Sequence, residues 1–477
     1  MNLSSSIFFK YFIFLFLLFT FAHLKANVDS FPEELSLTQL STDDLPDIKK
    51  RKYLRALVTY SPTDFTIMPN GKPAGLQADA LVAFEDFLNK GIKKEINKIK
   101  VIFVPTTFDR LIPDLLDGKG DIAADFLTIT PEREKLINFA TKKVMRVDES
   151  IVVHKKIKDI KSVNDLSGKT VFVQRGSSYF EHLQGINQSF VEKGMKPILI
   201  KQADSNLITH DLLEMMDAGL IDITVADDYE AKLWSQVYKN IRVLDEVDVS
   251  RDNYVGWGVR KNNPLLQEKL MLFANKVKKG TYLGNVILHR YYKGTQWITN
   301  PISSAERAKY DKVISFFKKY APKYNFDILE VIALAYQESQ LDHSRRSNVG
   351  ALGVMQLMPF MENDERINIK NIHQIENNIH AGIKYLALIR KQNFSDPNID
   401  EESRLAFTWA SYNAGPNKVK RIRDRAKKMG LDPNVWFGNV EIAAARMVGN
   451  ETVRYVRNIY KYYIAYKLLD EKNTLTQ

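Results

Sequence analysis

Hydrophobic and polar positions along the chain change style near Tyr291. Before that point, short apolar runs alternate with stretches of helical period. The run LRALVTY (54–60) reads as a strand. A Pro/Gly turn region follows, then an amphipathic helix with Leu76, Ala80, Ala83, Phe84 and Phe87 on one face. The pattern continues with a strand over 100–104, a helix over 108–117 and a strand over 121–126. A second series runs through a strand at 170–174, a helix after Ser178, a strand at 197–201, a helix near 211–217 and a strand at 221–226. The strand-like YVGWGV (254–259) and a helix over 264–278 close the region. Strands alternating with helices predict parallel α/β sheets, and two series in tandem predict two α/β lobes.

After Tyr291 the period-two pattern disappears. Residues 293–304 carry Gly294, Pro301 and two Ser and read as a linker. Helical period then dominates over 305–320, 327–341, 379–391, 403–412, 440–449 and 452–469. The expected organisation is multidomain: a two-lobed α/β domain over 51–292, a linker over 293–304 and a mostly α domain over 305–472.

The amino-terminal residues predict a compartment. Lys10 is the only charged side chain ahead of the apolar run 11–22 (YFIFLFLLFTFA). That run suits a signal-peptide core better than a membrane span, which needs about 20 apolar residues. Residues 1–26 are therefore expected to be a signal peptide, with Ala26 before the cut, and the polar stretch 27–50 a leader.

Composition then narrows the chemistry. With 45% hydrophobic and 26% charged residues in 477, the chain is globular rather than disordered. It has no Cys, which excludes a disulfide scaffold, thiolate metal sites, a Cys nucleophile and a lipid-modified cysteine. The formal charge is +11, and residues 301–477 hold 27 Lys and Arg against 20 Asp and Glu. The densest basic run, KVKRIRDRAKK (418–428), has no base-stacking aromatic motif beside it. It reads as a solvated helix face or a contact with anionic wall or lipid headgroups, and no nucleic-acid partner is expected. The eight His are scattered without ligand spacing, so no metal and no cofactor is expected.

The sharpest anomaly is Glu338. Ile328, Val331, Ile332 and Ala335 form the apolar face of its helix, and Glu338 falls on the same stripe, seven residues past Val331 and three past Ala335. Desolvation there raises a carboxyl pKa, which suits a general acid near neutral pH. A lone Glu at a helix end can also turn to solvent or to Arg345. Its followers carry the information. GALGVMQLMP (350–359) offers Gly for close backbone approach, Met355 and Met358 for adaptable apolar surface, and Gln356 for amide hydrogen bonds. SYNAG (411–415) ends a helix with Tyr412 and Asn413 just before a capping Gly.

Glu338-Ser339, GALGVMQLMP, SYNAG and a late ETVRYV (451–456), in that order, resemble the soluble-lytic-transglycosylase domain, a lysozyme-like fold that cleaves peptidoglycan. Ser411 stands where the family usually has Ala. The resemblance implies that Glu338 alone is catalytic. It would protonate the glycosidic oxygen between N-acetylmuramic acid and N-acetylglucosamine, then take the proton of the muramoyl 6-hydroxyl to leave a 1,6-anhydro end. Ser339, Met355, Gln356, Tyr412 and Asn413 would orient the acid or the sugars, and Tyr455 would hydrogen-bond the acid; each could instead be core packing. No second carboxylate stands out in these motifs, whereas most glycoside hydrolases need a pair. Asp342, four residues along, is the obvious rival and reads as structural.

The first domain resembles family 3 periplasmic solute-binding domains through GKPAGLQADAL (71–81), GKGDIAADFLTITPERE (118–134), VQRGSSY (173–179) and DITVADD (222–228). The resemblance implies that Thr128 and Arg133 bind an α-carboxylate, that Ser178 heads an anion-favouring helix start, and that Asp227 pairs with an α-ammonium. Phe126 departs from the polar residue common at its place, which leaves the ligand's identity open. The whole implies an exported enzyme of the periplasm, attached peripherally to the outer membrane. It would act on peptidoglycan strands, with an amino acid or muropeptide held in the first domain and able to regulate the second. Two rivals share these features: a hydrolysing muramidase and a catalytically silent sensor.

Overall fold

The computed structural model describes residues 39–68, 72–140, 145–277 and 304–474. The expected signal peptide and nearly all of the expected linker lie outside them. The polar stretch before Tyr53 contains an element that its pattern did not announce. Helix α1 (Leu45–Arg51) buries Leu45 and Ile48, and Asp44 caps it by accepting from the Leu45 N–H at 2.8 Å. The same carboxylate accepts from the N–H groups of Leu265 and Leu266, so it caps a second helix far along the chain. Two buried side chains in seven are too few to leave a visible period.

In the first lobe, β1 (Tyr53–Val58) lies between two parallel neighbours, β2 (Lys100–Pro105) and β3 (Ile122–Thr128). Buried on both faces, β1 reads as a continuous apolar run. Its one charge, Arg55, is buried with Asp121, on which Arg51 and Arg260 also converge. Short helix α2 (Pro131–Leu136) and strand β4 (Ile137–Phe139) end this part of the lobe. The second lobe holds β6 (Thr170–Val173), flanked in parallel by β7 (Leu199–Gln202) and β8 (Ile223–Asp227). The alternation read from the sequence is therefore present in each lobe.

Between the lobes the sheet is not parallel. Strand β5 (Met145–His154) leaves the first lobe, and the 20-residue β9 (Ile241–Arg260) returns to it. They pair antiparallel with each other, β5 also with β8, and β9 also with β3 and β4. The nine strands form one mixed sheet in the order β2-β1-β3-β9-β5-β8-β6-β7, with β4 beside β9. The sequence pattern disclosed only the last third of β9 and none of β5. Asp245, Glu246, Arg251 and Asp252 break its alternation where β9 crosses between lobes and is half exposed. The first lobe is consequently discontinuous, its sheet begun before Phe139 and completed after Tyr254.

The second domain is helical among its described residues. Helix α3 (Ile328–Ser339) starts in a capping box of Asp327 and Glu330 and stops at Gln340 and Leu341, both left-handed. It therefore ends two residues before the span that periodicity predicts. Helices α4 (Ile375–Asn393) and α5 (Glu401–Ala414) pack against each other, and α6 (Asn450–Thr474) packs against α3 and α5. Helix α6 also meets both lobes. Arg457 lies 4.5 Å above the Tyr60 ring of the first lobe, and the Tyr460 hydroxyl is shared between Asp204 of the second lobe and Glu402. Lys461 reaches Glu214 at 2.8 Å and Asp211 at 3.6 Å, while Ala465 completes an apolar cluster with Met215, Trp234 and Ile241.

Candidate functional site

Glu338 sits one residue before the end of α3, partly buried. The Tyr455 hydroxyl, from α6, donates to its Oε1 at 2.5 Å. Burial pushes the carboxyl up to about 7, against smaller opposing effects from the Tyr455 hydrogen bond and the Arg345 guanidinium. No other carboxylate contributes to that shift. A raised pKa alone does not single out the site. Glu330, on the same helix, is also pushed to about 7 by burial, but it accepts from the Asp327 N–H as part of the cap. Asp342 is exposed, accepts from the Ser344 N–H and hydroxyl, and is held below the usual carboxylate range by those bonds. It is poorly suited to hold a proton at neutral pH.

The glycine-rich loop is fastened beneath Glu338. Ser339 is buried, and its hydroxyl donates to the Val354 carbonyl at 2.8 Å, tying the helix end to the loop rather than touching Glu338. Met355 is fully buried: its N–H donates to Asn378 Oδ1, and its carbonyl accepts from the Tyr412 hydroxyl at 2.7 Å. Gln356 has a left-handed backbone, and its amide donates to the Gly353 and Arg345 carbonyls. Asn413 is exposed and accepts from Thr452 at 3.3 Å. Of the six residues expected around the acid, Tyr455 bonds it directly. Tyr412 lies close enough for Glu338 to help hold its phenol protonated. Ser339, Met355 and Gln356 build the loop.

Sequence reasoning missed Asn378. It is fully buried inside α4, where Oδ1 accepts from Met355 and Nδ2 donates to the Leu352 and Ile372 carbonyls. Gly353, at φ +79°, lies against it; a Cβ there would come within 2.6 Å of the Asn378 side chain. The available signal was an Asn on the apolar face beside Ile379 and Gly382, a polar residue out of place in the same sense as Glu338.

The second concavity lies between the lobes. A cleft is lined from both, by Asp64, Asp125, Phe126 and Thr128 on one side and Ser178, Tyr179, Asp227 and Glu230 on the other. Thr128, Ser178 and Asp227 all line it. Arg133 is buried behind them: Nη1 donates to the Thr128 carbonyl, Nη2 to the Gly176 carbonyl, and Nε faces Glu181 at 3.4 Å. Ser178 donates to the buried Glu149 at 2.6 Å. Elsewhere, His210, Asp211 and Glu214 could gather ligand atoms within 4.8 Å, but the Lys461 ammonium already occupies that place.

Residues 55–292 match the family of bacterial extracellular solute-binding proteins, family 3, and residues 315–433 match the transglycosylase SLT domain. A membrane-bound lytic murein transglycosylase F from Desulfosudis oleivorans is 29% identical over 411 residues, 82% of this chain and 85% of the relative. Another from Pseudomonas fluorescens is 27% identical over 447 residues, 88% of this chain and 85% of the relative. Among solved structures, an ancestral arginine-binding protein bound to arginine is 26% identical with a TM-score of 0.42, over 51% of this chain and 99% of that one.

Proposed function

As a homologue of membrane-bound lytic murein transglycosylase F, with a family 3 solute-binding domain ahead of a transglycosylase SLT domain, this chain is, we propose, a peptidoglycan lytic transglycosylase. The observation that carries the reading is the lone carboxyl of Glu338, pushed up to about 7 and held by Tyr455 with no second carboxylate acting on it. Near neutral pH such a group exists in both protonation states, as an acid that must later serve as a base requires.

Glu338 donates its proton to the oxygen linking N-acetylmuramic acid to N-acetylglucosamine, and the bond from that oxygen to the anomeric carbon breaks. The muramoyl acetamido oxygen stabilises the positive charge that develops there. The Glu338 carboxylate then takes the proton of the 6-hydroxyl, whose oxygen bonds to the anomeric carbon. The acid is regenerated, no water is consumed, and the product carries a 1,6-anhydro ring. Tyr455 orients the carboxyl, while Tyr412, Gln356 and the loop held by Ser339 and Met355 shape the sugar-binding floor.

The protein works in the periplasm, attached peripherally to the outer membrane, with glycan strands as partner. The apolar run at 11–22 supports export, and no helix among the described residues is long and apolar enough to cross a membrane. The first domain captures a small solute of the amino-acid or muropeptide class and regulates the second through α6, which bears Tyr455 and also Arg457, Tyr460 and Lys461 on the lobes.

Digestion of purified sacculi by the wild type and by Glu338→Gln, with mass spectrometry of the muropeptides, tests the chemistry. Anhydro ends from the wild type and none from the variant are expected. Products one water heavier indicate a hydrolase, and equal products from both proteins remove Glu338 from its role.

A further inference from the structure

The interlobe cleft gathers four carboxyl groups with no cationic side chain beside them. Asp64, Asp125, Asp227 and Glu230 line it, and no Lys, Arg or His does. Asp227 is 4% exposed and Asp125 8%, and neither forms an ion pair among the described residues. Asp227 Oδ1 accepts from the Tyr179 hydroxyl at 3.0 Å, but its second oxygen has no hydrogen-bond partner. Glu230 likewise makes no hydrogen bond or ion pair among the described residues. Burial and the Asp64 charge push Asp125 up to about 7; burial and Glu149 push Asp227 to about 8. Buried like charges are costly, so these carboxyls hold protons near neutral pH, and an entering cation favours their charged forms.

The groups that would receive an anion are committed elsewhere. The Arg133 guanidinium donates to two backbone carbonyls and faces Glu181, and the Ser178 hydroxyl is held by Glu149. A ligand carboxylate entering this cleft would meet four carboxylates and no free cation. The walls favour cations in a second way: Phe108, Phe126 and Tyr229 line the cleft, with the Phe126 and Tyr229 rings 5.7 Å apart. Nor are the carboxylates clustered for a single metal ion. Among the described residues, no three of them bring ligand atoms within 4.8 Å of one another. Their spread around the cleft suits an extended molecule with charges at separate points.

We propose that this cleft selects a small organic dication, carrying two ammonium or guanidinium groups, and that a ligand carboxylate is not required. The inference rests on the reading that the first domain captures a small solute, and it narrows that solute to plain diamines and basic amino acids. Neutral and acidic amino acids and anionic muropeptides bind more weakly. One cationic end sits against Asp64, Asp125 and Glu230 and the other against Asp227, so one molecule bridges the lobes.

Calorimetric titration of the exported full-length protein at pH 7.5 tests it, with cadaverine, L-lysine, L-glutamine, L-glutamate, calcium chloride and an anhydro-muropeptide as probes. Cadaverine differs from L-lysine only by the carboxylate and is expected to bind at least as tightly. L-Glutamine, L-glutamate and the muropeptide are expected to be weaker by about tenfold or more, the equivalent of one lost ion pair. Asp227→Asn and Asp125→Asn should each weaken cadaverine by about tenfold. Glu230→Gln, a less buried position, serves if either Asp variant fails to fold. Binding of L-lysine without cadaverine, equal binding of L-glutamine or the muropeptide, or tight calcium binding alone overturns the proposal and leaves the solute-binding reading standing. No binding by any probe at millimolar concentration overturns both.

Discussion

Tyr455 and Lys461 stand six positions apart on helix α6 and answer to different domains. Tyr455 donates to Glu338 in the helical domain, while Lys461 is held between Glu214 and Asp211 of the second lobe. A rigid helix thus has one end of this segment at Glu338, in the candidate active site, and the other in the solute-binding domain.

Lys461→Met is expected to weaken that joint. The ammonium is buried, and its loss leaves Asp211 and Glu214 without their cation. Breaking a buried pair by removing one partner costs about 3–5 kcal/mol. Scanning calorimetry should show the domains melting as two transitions where the wild type melts more nearly as one. An unchanged thermogram would mean that the lysine contributes nothing to the joint.

Tyr455→Phe is expected to lower turnover about tenfold and to alter its pH dependence. The hydroxyl holds the Glu338 pKa down by bonding its charged form, so its loss raises that pKa further. The alkaline fall in activity should move to higher pH. A purely structural tyrosine would change the melting temperature without moving the alkaline limb.

Glu338 also links activity and stability to pH, with opposite consequences for the variant. Its folded pKa of about 7 lies above the ordinary 4.5, so the folded state holds a proton that the unfolded state has lost between these values. Stability contributed at this position therefore falls as pH rises from 4.5 to 7 and is level above. The protonated acid is lost as pH rises through that folded pKa, so kcat/KM should fall above pH 7 by about tenfold per unit. Glu338→Gln should be inactive yet more stable than wild type at pH 8, by about 1–3 kcal/mol. Urea unfolding of both proteins at pH 5 and pH 8 measures it; a variant less stable at pH 8 would contradict the assignment of the raised pKa.

Asn378→Ala should abolish activity without touching substrate. It strands the Met355 N–H and the Ile372 carbonyl, each a buried group worth about 1–3 kcal/mol when left unpaired, and leaves the Leu352 carbonyl with the Leu357 N–H alone. Gly353→Ala should act alike, since the new Cβ would collide with the Asn378 amide and a residue at φ +79° is strained in any case. Loss of turnover with an intact solute-binding domain is the expected result, read by sacculus digestion beside titration of the cleft.

The parts legible in the sequence were those with one strong local cause. The parallel strands announced themselves because burial on both faces demands continuous apolar runs. Glu338 stood out because it breaks an apolar stripe. Strand β5 and most of β9 did not, because a ribbon crossing between lobes is half exposed and carries charges where alternation would be read. Asn378 hid in a helix whose other polar residues are solvated, and its role depends on a loop more than 20 residues earlier. The family resemblance implied that Arg133 meets a ligand, but only the structure discloses that Thr128, Gly176 and Glu181 have engaged its nitrogens. The motif that names a guanidinium cannot say what the folded chain spends it on.

The return of β9 to the first lobe sets an order of assembly. Thr128 of β3 pairs with Val255, so the first lobe's sheet keeps an open edge until the whole second lobe has been threaded. The second lobe, by contrast, has its own apolar cluster of Val171, Leu183 and Val225 within one continuous stretch of chain. A chain that emerges amino-terminus first therefore completes its second lobe before its first. During that interval β3 presents unpaired backbone, a template for non-native strand pairing. Folding factors that bind extended edges should find their target between those two events, and substitutions that slow the second lobe should lower yield without altering the finished enzyme.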